Sequence, residues 1–399
     1  MVARILPAVM KVIAAALAVA ALGLPAAQAS SPVTVPGLVY TPGYGNSILA
    51  RYDPETLVRT GTRVRLGGNA SSWSWSPQRR YLAIASYPQR LTIVDVAGMR
   101  VVARVRLAPG GGVARAVTWA RNRVLAVVEA PSGAVVTAVD PFAGRVVRTT
   151  RLSRPFAFHF GRLPDGLVFL LGARGRLAPA QIAAVDADGR VRVGAVAQVP
   201  VGMVASGSGQ FEQRSPGLTV DTAGRMAYVV DGERVFVVDL ETLRVADRGP
   251  LRTLAKVSFG SVRSAQWLGD GLLAVSGADW DEDAGPRSAG LRLVDVRDWT
   301  SRVVDRSARS FTVTGKHLLV ESAPSRRALN VIAYGFDGAE RYRLELSGAT
   351  WLKKQSRVGY ACRDSFLRSA VDLTIGRVVR SGFPAGTRCP TLLAEDSRS

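Results

Sequence analysis

The chain of 399 residues carries 52 Lys and Arg against 31 Asp and Glu, a formal net charge of +21, and is 47% hydrophobic. This composition is typical of a folded globular protein and excludes a disordered chain. The sequence has two histidines, which excludes copper centres that need many histidine ligands.

The N-terminus has the pattern of a secretory signal peptide. A basic start (MVARILPAVMK) precedes the apolar run Val12–Leu24, and Ala27-Gln28-Ala29 has the small-x-small pattern of a cleavage site. We therefore predict a signal peptide over residues 1–29 and an exported mature chain. An uncleaved N-terminal anchor is the alternative. No later segment approaches the roughly 20 apolar residues that a spanning helix needs.

One hairpin pattern recurs along the rest of the chain. Three copies are LTIVDVAGMRVVARVRL (91–107), VTAVDPFAGRVVRTTRL (136–152) and VFVVDLETLRVADRGPL (235–251). In each, a β-branched run ends at an aspartate, a short turn follows, and a second strand of Val and Arg returns. The carboxylate suits this position because it can accept N–H bonds from the turn. The recurring strand ends are Asp53, Asp95, Asp140, Asp186, Asp239, Asp295, Gly335 and Asp372.

A second hairpin precedes each of these copies. Segments such as SSWSWSPQRRYLAIAS (71–86) and GLTVDTAGRMAYVV (217–230) have the pattern of a strand, a tight polar turn and a strand. One repeat is therefore four short antiparallel strands, A to D. Such repeats predict an all-β fold, a β-propeller whose four-stranded blades surround a channel.

The repeats also resemble known families. WSPQRRYLAIAS (75–86) resembles the inner hairpin of WD40-like bacterial propellers, and VFVVDLETLRVADRG (235–249) resembles repeats of the YVTN type. The paired Gly-His and Trp-Asp ends of eukaryotic WD40 repeats are missing. The resemblance covers nearly all of the mature chain and implies a bacterial β-propeller repeat protein that is secreted or held in the cell envelope. It implies no particular activity.

The repeats predict one domain over residues 37–396, after a short linker (30–36) and before a tail (397–399). Seven complete repeats run from Ser71 to about Pro384, and residues 37–66 supply strands B, C and D of one more. The C-terminal segment 389–396 could supply the missing A strand. We therefore expect eight blades, with a ring closed by N- and C-terminal strands; seven blades are the alternative.

The two cysteines, Cys362 and Cys389, lie near the C-terminus. In an oxidising compartment an even pair favours a disulfide. Two buried, unpaired thiols are the alternative.

The long insertions all belong to one predicted face of the propeller. The D–A and B–C connections share that face, and segments 172–180, 199–216, 249–262 and 278–290 are long. Long loops on a rigid scaffold commonly carry binding residues, although loops also lengthen by drift wherever folding tolerates it. The predicted binding residues are Arg174, Arg176, Phe211, Arg214, Arg252, Lys256, Trp280 and Arg287.

An acidic stretch in the last insertion is a weak candidate for a metal site. Asp279, Asp281 and Asp283 follow the alternating carboxylates of a calcium loop. Ala284 replaces the turn glycine and Gly290 replaces the bidentate glutamate, which excludes an EF-hand. An irregular calcium site and a plain acidic loop both stay open.

These features favour an exported, non-catalytic protein that binds a ligand or partner on the long-loop face. The basic charge points to an anionic envelope polymer or a protein as partner, with nucleic acid not expected outside the cell. The arginines, which alternate with Val or Leu, fit the solvated face of outer strands equally well.

The alternative function is a hydrolase or lactonase-like enzyme with carboxylates at the channel mouth, with or without calcium. A Ser-His-Asp triad would have to use His159 or His317 at a strand end. Apart from calcium, no cofactor is expected.

Overall fold

The computed structural model describes residues 35–40, 47–52, 58–108, 111–205, 211–251, 260–281, 285–325, 328–355, 358–364, 366–383, 387, 389 and 391–392. These ranges contain 34 β-strands and no helix, so the predicted all-β fold is confirmed. It follows that no helix in them is long and apolar enough to cross a membrane. The predicted signal peptide lies outside the described residues.

The described strands form seven sheets, of which six have four strands each in antiparallel order. The sheet nearest the N-terminus contains β1 (Val35–Tyr40), β2 (Ser47–Tyr52), β3 (Arg59–Arg65) and the C-terminal β34 (Thr391–Leu392). The next two contain β4 (Ala70–Trp75), β5 (Tyr81–Ser86), β6 (Arg90–Asp95) and β7 (Arg100–Arg106), then β8 (Val113–Ala120), β9 (Arg123–Ala130), β10 (Gly133–Asp140) and β11 (Arg145–Leu152). β1 thus starts two residues before the predicted domain boundary at 37.

Three further four-stranded sheets follow in the same pattern. Their strands are β17 (Gly217–Val220), β18 (Met226–Val230), β19 (Arg234–Asp239) and β20 (Arg244–Pro250); β26 (Ala308–Thr314), β27 (His317–Ser325), β28 (Ala328–Gly335) and β29 (Glu340–Ser347); and β30 (Trp351–Gln355), β31 (Val358–Arg363), β32 (Phe366–Asp372) and β33 (Arg377–Ser381).

The seventh sheet has ten strands and joins two antiparallel meanders. The first meander is β12 (Phe156–Leu163), β13 (Gly166–Leu171), β14 (Leu177–Asp186) and β15 (Val191–Ala205). The second, which we call the β21–β25 meander, is β21 (Gly260–Gly269), β22 (Leu272–Asp281), β24 (Leu291–Asp295) and β25 (Thr300–Asp305). Strand β16 (Phe211–Ser215) connects them, and β23 (Gly285–Ser288) pairs with β22.

The recurring strand ends are where the sequence places them. Of the eight predicted positions, seven end a strand, namely Asp95, Asp140, Asp186, Asp239, Asp295, Gly335 and Asp372; Asp53 lies outside the described residues. After β10, for example, the Asp140 carboxylate accepts N–H bonds from Ala143 (2.9 Å) and Phe142 (3.1 Å). The Ala143 bond is the largest cause that holds the pKa of Asp140 below its usual value.

Aromatic side chains pack one blade against the next. The Trp119 indole of β8 donates to the Ser74 carbonyl of β4 (3.0 Å), and Tyr228 of β18 stacks on Trp267 of β21 with ring centroids 4.9 Å apart.

The fourth strand of each four-stranded unit is the one most exposed to solvent. In β11, all eight residues from Arg145 to Leu152 are exposed or half-exposed, as expected for an outer strand.

The two ends of the described chain meet in one sheet. β34 pairs antiparallel with β1, where Leu392 lies opposite Gly37 and Thr391 opposite Leu38. The predicted disulfide is also confirmed, because Cys362 of β31 and Cys389 are bonded with Cα atoms 5.9 Å apart. The bond attaches the segment that leads into β34 to the neighbouring sheet.

Candidate functional site

The insertions predicted as long loops contain ordered strands. β15 continues through residues 199–205 and turns back as β16, while β22 and β23 form a second hairpin within residues 278–290. Gly202 allows this course: a Cβ there would lie 2.3 Å from the Arg176 carbonyl oxygen, and its φ is +135°. Only glycine adopts that conformation at little cost.

These strands connect the two meanders of the ten-stranded sheet. β16 pairs antiparallel with β15 and parallel with β21, where Arg214 lies opposite Ser261 and Ser215 opposite Val262. We call the connecting part the bridge, which comprises Leu177–Pro179, Pro200–Ala205, Phe211–Ser215, Gly260–Val262, Ala278–Asp281 and Gly285–Ser288.

One register row crosses the whole bridge. Its successive Cα partners are Leu177, Gly202, Arg214, Ser261, Asp279 and Arg287. Three of these, Arg214, Asp279 and Arg287, are residues that the sequence proposes for binding or metal ligation. Segments far apart in sequence therefore meet because strand pairing fixes their register.

A cleft of about 360 Å³ lies between the bridge and the turn that joins β18 to β19. The bridge side and the turn contribute polar side chains of both charges. The lining residues are Leu177, Gln198, Pro200, Glu212, Arg214, Ser215, Pro216, Asp231, Gly232, Glu233, Arg234 and Ser261. Three carboxylates and two guanidiniums among them make the lining slightly acidic, in contrast to the basic chain as a whole.

Hydrogen bonds fix two of the carboxylates in the cleft. Glu212 accepts from Nε of Arg214 at 3.2 Å. Asp231 accepts backbone N–H bonds from Glu233 (2.7 Å) and Arg234 (2.6 Å). Burial nevertheless raises the pKa of Asp231, since desolvation exceeds the effect of those two bonds.

A buried arginine attaches the bridge to the β18–β19 turn. Arg263 of β21 is 1% exposed and donates from one terminal nitrogen to the Gly232 carbonyl (3.0 Å) and the Asp279 carboxylate (2.5 Å). The other terminal nitrogen donates to the carbonyls of Val262 (3.2 Å) and Ala278 (3.1 Å). Arg263 could not be identified from the sequence, because an arginine within a strand gives no sign that it is buried.

Of the predicted binding residues, the structure places Arg214 in the cleft. Arg174 instead reaches the β9–β10 turn, where it donates to the carbonyls of Ala130 (2.6 Å) and Pro131 (2.8 Å). Arg176 is exposed. The side chain of Phe211, and all of Arg252 and Lys256, lie outside the described residues.

The first aspartate of the acidic stretch, Asp279, has a structural role, because it forms an ion pair. Trp280 is half-buried and Arg287 is exposed on β23. Asp279 is 7% exposed and forms the ion pair with Arg263. The side chain of Asp281, and all of Asp283, lie outside the described residues. Within the described ranges, no three His, Cys, Asp or Glu side chains are grouped as a metal site.

The histidines lie away from the cleft lining. His159 is on β12 and His317 begins β27, in different sheets. Burial lowers the pKa of His159.

Comparisons with known proteins address the fold. No family model matches the chain, and no curated protein is similar to it. Among solved structures, the dihydro-heme d1 dehydrogenase NirN in complex with DHE matches with a TM-score of 0.62 at 14% identity, over 92% of this chain and 76% of that one.

Two further solved structures are similar. A chain of the mitotic checkpoint complex matches with a TM-score of 0.50 at 13% identity, over 85% of this chain and 94% of that one. BamB from Moraxella catarrhalis matches with a TM-score of 0.49 at 16% identity, over 81% of this chain and 92% of that one. NirN and the checkpoint-complex chain are β-propeller proteins, and the chain is accordingly a β-propeller of four-stranded blades.

Proposed function

We propose that the protein is a non-catalytic binding protein that holds a polypeptide segment of a partner in the cleft beneath the bridge. One observation carries the proposal: two insertions from separate meanders pair with each other and form a cleft of about 360 Å³ beside the β18–β19 turn. Ordered insertions that build a concave polar surface on a rigid scaffold are where binding residues concentrate.

The charges of the lining support a partner with groups of both signs. Glu212, Asp231 and Glu233 face the cleft together with Arg214 and Arg234. A polypeptide offers amide donors, carbonyl acceptors and side chains of either charge to such a surface. An anionic envelope polymer fits the basic chain as a whole but meets three carboxylates in the cleft, so it is the less favoured partner.

We further propose that the ring has eight blades, with the ten-stranded sheet counted as two. Both of its meanders have four strands in the order of a complete blade. The pairing of β34 with β1 supports closure of the ring by the two chain ends. The disulfide supports export, since such bonds persist in oxidising compartments.

The proposed binding can be tested with a random peptide library displayed on phage and selected on the mature protein. Arg234→Glu reverses one charge in the cleft. Arg225→Glu makes the same change at the opposite end of β18, on an exposed side chain of the β17–β18 turn. We expect selected peptides to bind Arg234→Glu at least about 10-fold more weakly, about 1.4 kcal/mol, and Arg225→Glu as they bind the wild type. Equal loss in both variants would contradict binding in the cleft.

One observation favours the alternative hydrolase. The pKa of Asp231 is raised by burial, and Glu233 lies two residues away in the same turn. A carboxyl with a raised pKa beside a second carboxylate is the arrangement that general acid catalysis uses. Turnover of chromogenic esters, lactones or glycosides that is lost in Asp231→Asn and kept in Asp221→Asn would establish this function in place of binding.

A further inference from the structure

The positive charge of the chain is concentrated in one segment. Residues 56–164 contain 17 arginines and three acidic residues, which are Asp95, Glu129 and Asp140. The difference, +14, is two thirds of the formal net charge of +21. Such an asymmetry of charge within one chain indicates a partner of the opposite sign.

Much of this charge lies on the outer strands of three successive sheets, β3, β7 and β11. These strands contain no acidic residue. They are also neighbours in space, because Arg104 of β7 donates to the Arg65 carbonyl of β3 (3.0 Å) and β11 contacts β7. Their exposed arginines, which we call the arginine rim, are Arg63, Arg65, Arg104, Arg106, Arg145, Arg148 and Arg151.

Three arginines of the rim occupy the same place in their sheets. Arg65, Arg106 and Arg151 each lie opposite the residue five positions before the recurring strand end. An outer strand does not require arginine at this place, since other four-stranded units have a different residue there. The residues at the equivalent place of β15, β20 and β29 are Ala195, Pro250 and Glu345.

The guanidiniums of the rim are available to a partner. Within the described part of the chain, the side chains of Arg106, Arg148 and Arg151 form no hydrogen bond or ion pair. Exposed valines lie among these arginines on the same strands. Their exposed fractions are 36% for Val102, 37% for Val146 and 49% for Val147.

We propose that the arginine rim binds the surface of a bilayer that contains anionic phospholipids. Guanidinium forks bind phosphate groups bidentately, and the exposed valines would contact the boundary between headgroups and acyl chains. A hydrated polyanion offers similar charges but no apolar phase for the valines, so it is the less favoured partner. Arginines of the curved rim that do not touch a headgroup still contribute within about 8 Å, one Debye length at physiological ionic strength.

The rim is separate from the binding cleft. No arginine of the rim lines the cleft, so this proposal does not depend on what the cleft binds. Contact through the outer strands would leave the cleft open to its own partner.

Co-sedimentation of the mature protein with lipid vesicles tests the proposal. We expect binding to vesicles of phosphatidylcholine mixed with phosphatidylglycerol, and at least about 10-fold weaker binding to phosphatidylcholine alone. Raising the salt from about 0.1 M to about 1 M shortens the Debye length from about 10 Å to about 3 Å and should release the protein. Equal binding to both vesicles, no binding to either, or binding that persists in high salt would overturn the proposal.

A triple variant locates the surface. Arg65→Gln, Arg106→Gln and Arg151→Gln together remove one charge from each outer strand of the rim. Binding to the anionic vesicles should weaken about 100-fold, since each arginine near an anionic surface contributes about fivefold. Wild-type binding by this variant would overturn the proposal.

The matched control makes the same change in charge in other sheets. It replaces three exposed arginines by glutamine, namely Arg225, Arg244 and Arg309. Binding should weaken by less than about threefold, because charges farther than a Debye length from the membrane are screened. All substituted side chains are exposed, so both variants should keep the Tm of the wild type. Equal loss of binding in the two variants would contradict a specific surface.

A last variant distinguishes a bilayer from a soluble polyanion. Val147→Thr keeps a β-branched side chain and should weaken binding to the anionic vesicles by about fourfold, the contribution of one buried methyl group. Binding to soluble inorganic polyphosphate should not change, because this polymer has no apolar phase. Binding of the wild type to polyphosphate without binding to the anionic vesicles would overturn the bilayer as partner.

Discussion

Arg214 of β16 lies opposite Ser261 of β21 in a parallel strand pair, whereas the other described strand pairs are antiparallel. Parallel neighbours need a long crossover connection, and here the whole β17–β20 sheet forms that crossover. The pairing therefore makes the two meanders and the sheet between them one structural group, with the cleft at their junction.

Arg263 should be the side chain on which this group depends most. Arg263→Met leaves the buried Asp279 carboxylate without its partner and should destabilise the protein by about 3–5 kcal/mol. Arg287→Met, on an exposed side chain in the register row of Asp279, should change stability by less than about 0.5 kcal/mol. Urea denaturation of both variants measures the difference. Stability of Arg263→Met within about 1 kcal/mol of the wild type would contradict the role we give the ion pair.

The disulfide should stabilise the end of the chain most directly. Replacing Cys362 and Cys389 together by alanine should cost about 3 kcal/mol, because the bond closes a loop of 27 residues in the unfolded chain. Hydrogen exchange should show the first loss of protection at β34 and β1. Reduction of the wild type should reproduce this effect. An equal loss of protection from exchange in all sheets would contradict the view that the disulfide acts locally on the pairing of β34 with β1.

Asp231 and Asp239 should respond to pH in opposite directions. Burial raises the pKa of Asp231. Its favourable contribution to the free energy of unfolding is therefore present at low pH and is lost as the pH rises through the folded-state pKa. Asp231→Asn keeps an acceptor for the turn and should raise Tm by about 1–2 °C near pH 7, with the difference disappearing as the pH falls.

Asp239 of the same sheet is the matched control. The hydrogen bond from the backbone N–H of Thr242 is the main cause that lowers the pKa of Asp239. The contribution of this carboxylate to the free energy of unfolding is therefore present above the unfolded-state pKa and is lost as the pH falls. Asp239→Asn should therefore lower Tm near neutral pH. Differential scanning calorimetry against pH measures both variants, and shifts of the same sign would contradict these assignments.

Asp295 should contribute to acid unfolding. The Arg297 side chain, followed by its backbone N–H, lowers the pKa of Asp295 to about 2. The contribution of this carboxylate is complete above its unfolded-state value of 3.8 and is lost as the pH falls toward 2. Asp295→Asn should therefore have a lower Tm than the wild type at neutral pH, and the two values should converge in acid. A constant difference across the acid range would show that the ion pair is not its source.

The sequence predicts the repeated part of the fold well and the site only in part. The strand-end aspartates could be found because the same residue recurs at the same place before a turn, where its carboxylate accepts the N–H bonds of the turn, as that of Asp140 does. The cysteine pair could be found from its number and its compartment. Neither prediction requires knowing which distant strands pair with each other.

The bridge could not be found in this way. β16 joins the second meander because Arg214 and Ser215 pair with Ser261 and Val262, which are distant in sequence, and register between distant strands leaves no local pattern. Arg263 resembles the exposed arginines of the outer strands in sequence, yet it is buried because Gly232 and Asp279 accept its hydrogen bonds. Arg174, for which the sequence predicts ligand binding, donates hydrogen bonds to the β9–β10 turn, and its binding role stays a prediction.

Hydrogen exchange of the mature protein, with and without a peptide selected on it, tests the central claim most directly. If the cleft holds the peptide, protection should increase in the bridge at residues 212–215 and 260–262 and in the β18–β19 turn at 231–234, with no change in the β17–β18 turn. Protection confined to the β17–β18 turn, or to outer strands such as β11, would contradict the claim that the bridge builds the binding site.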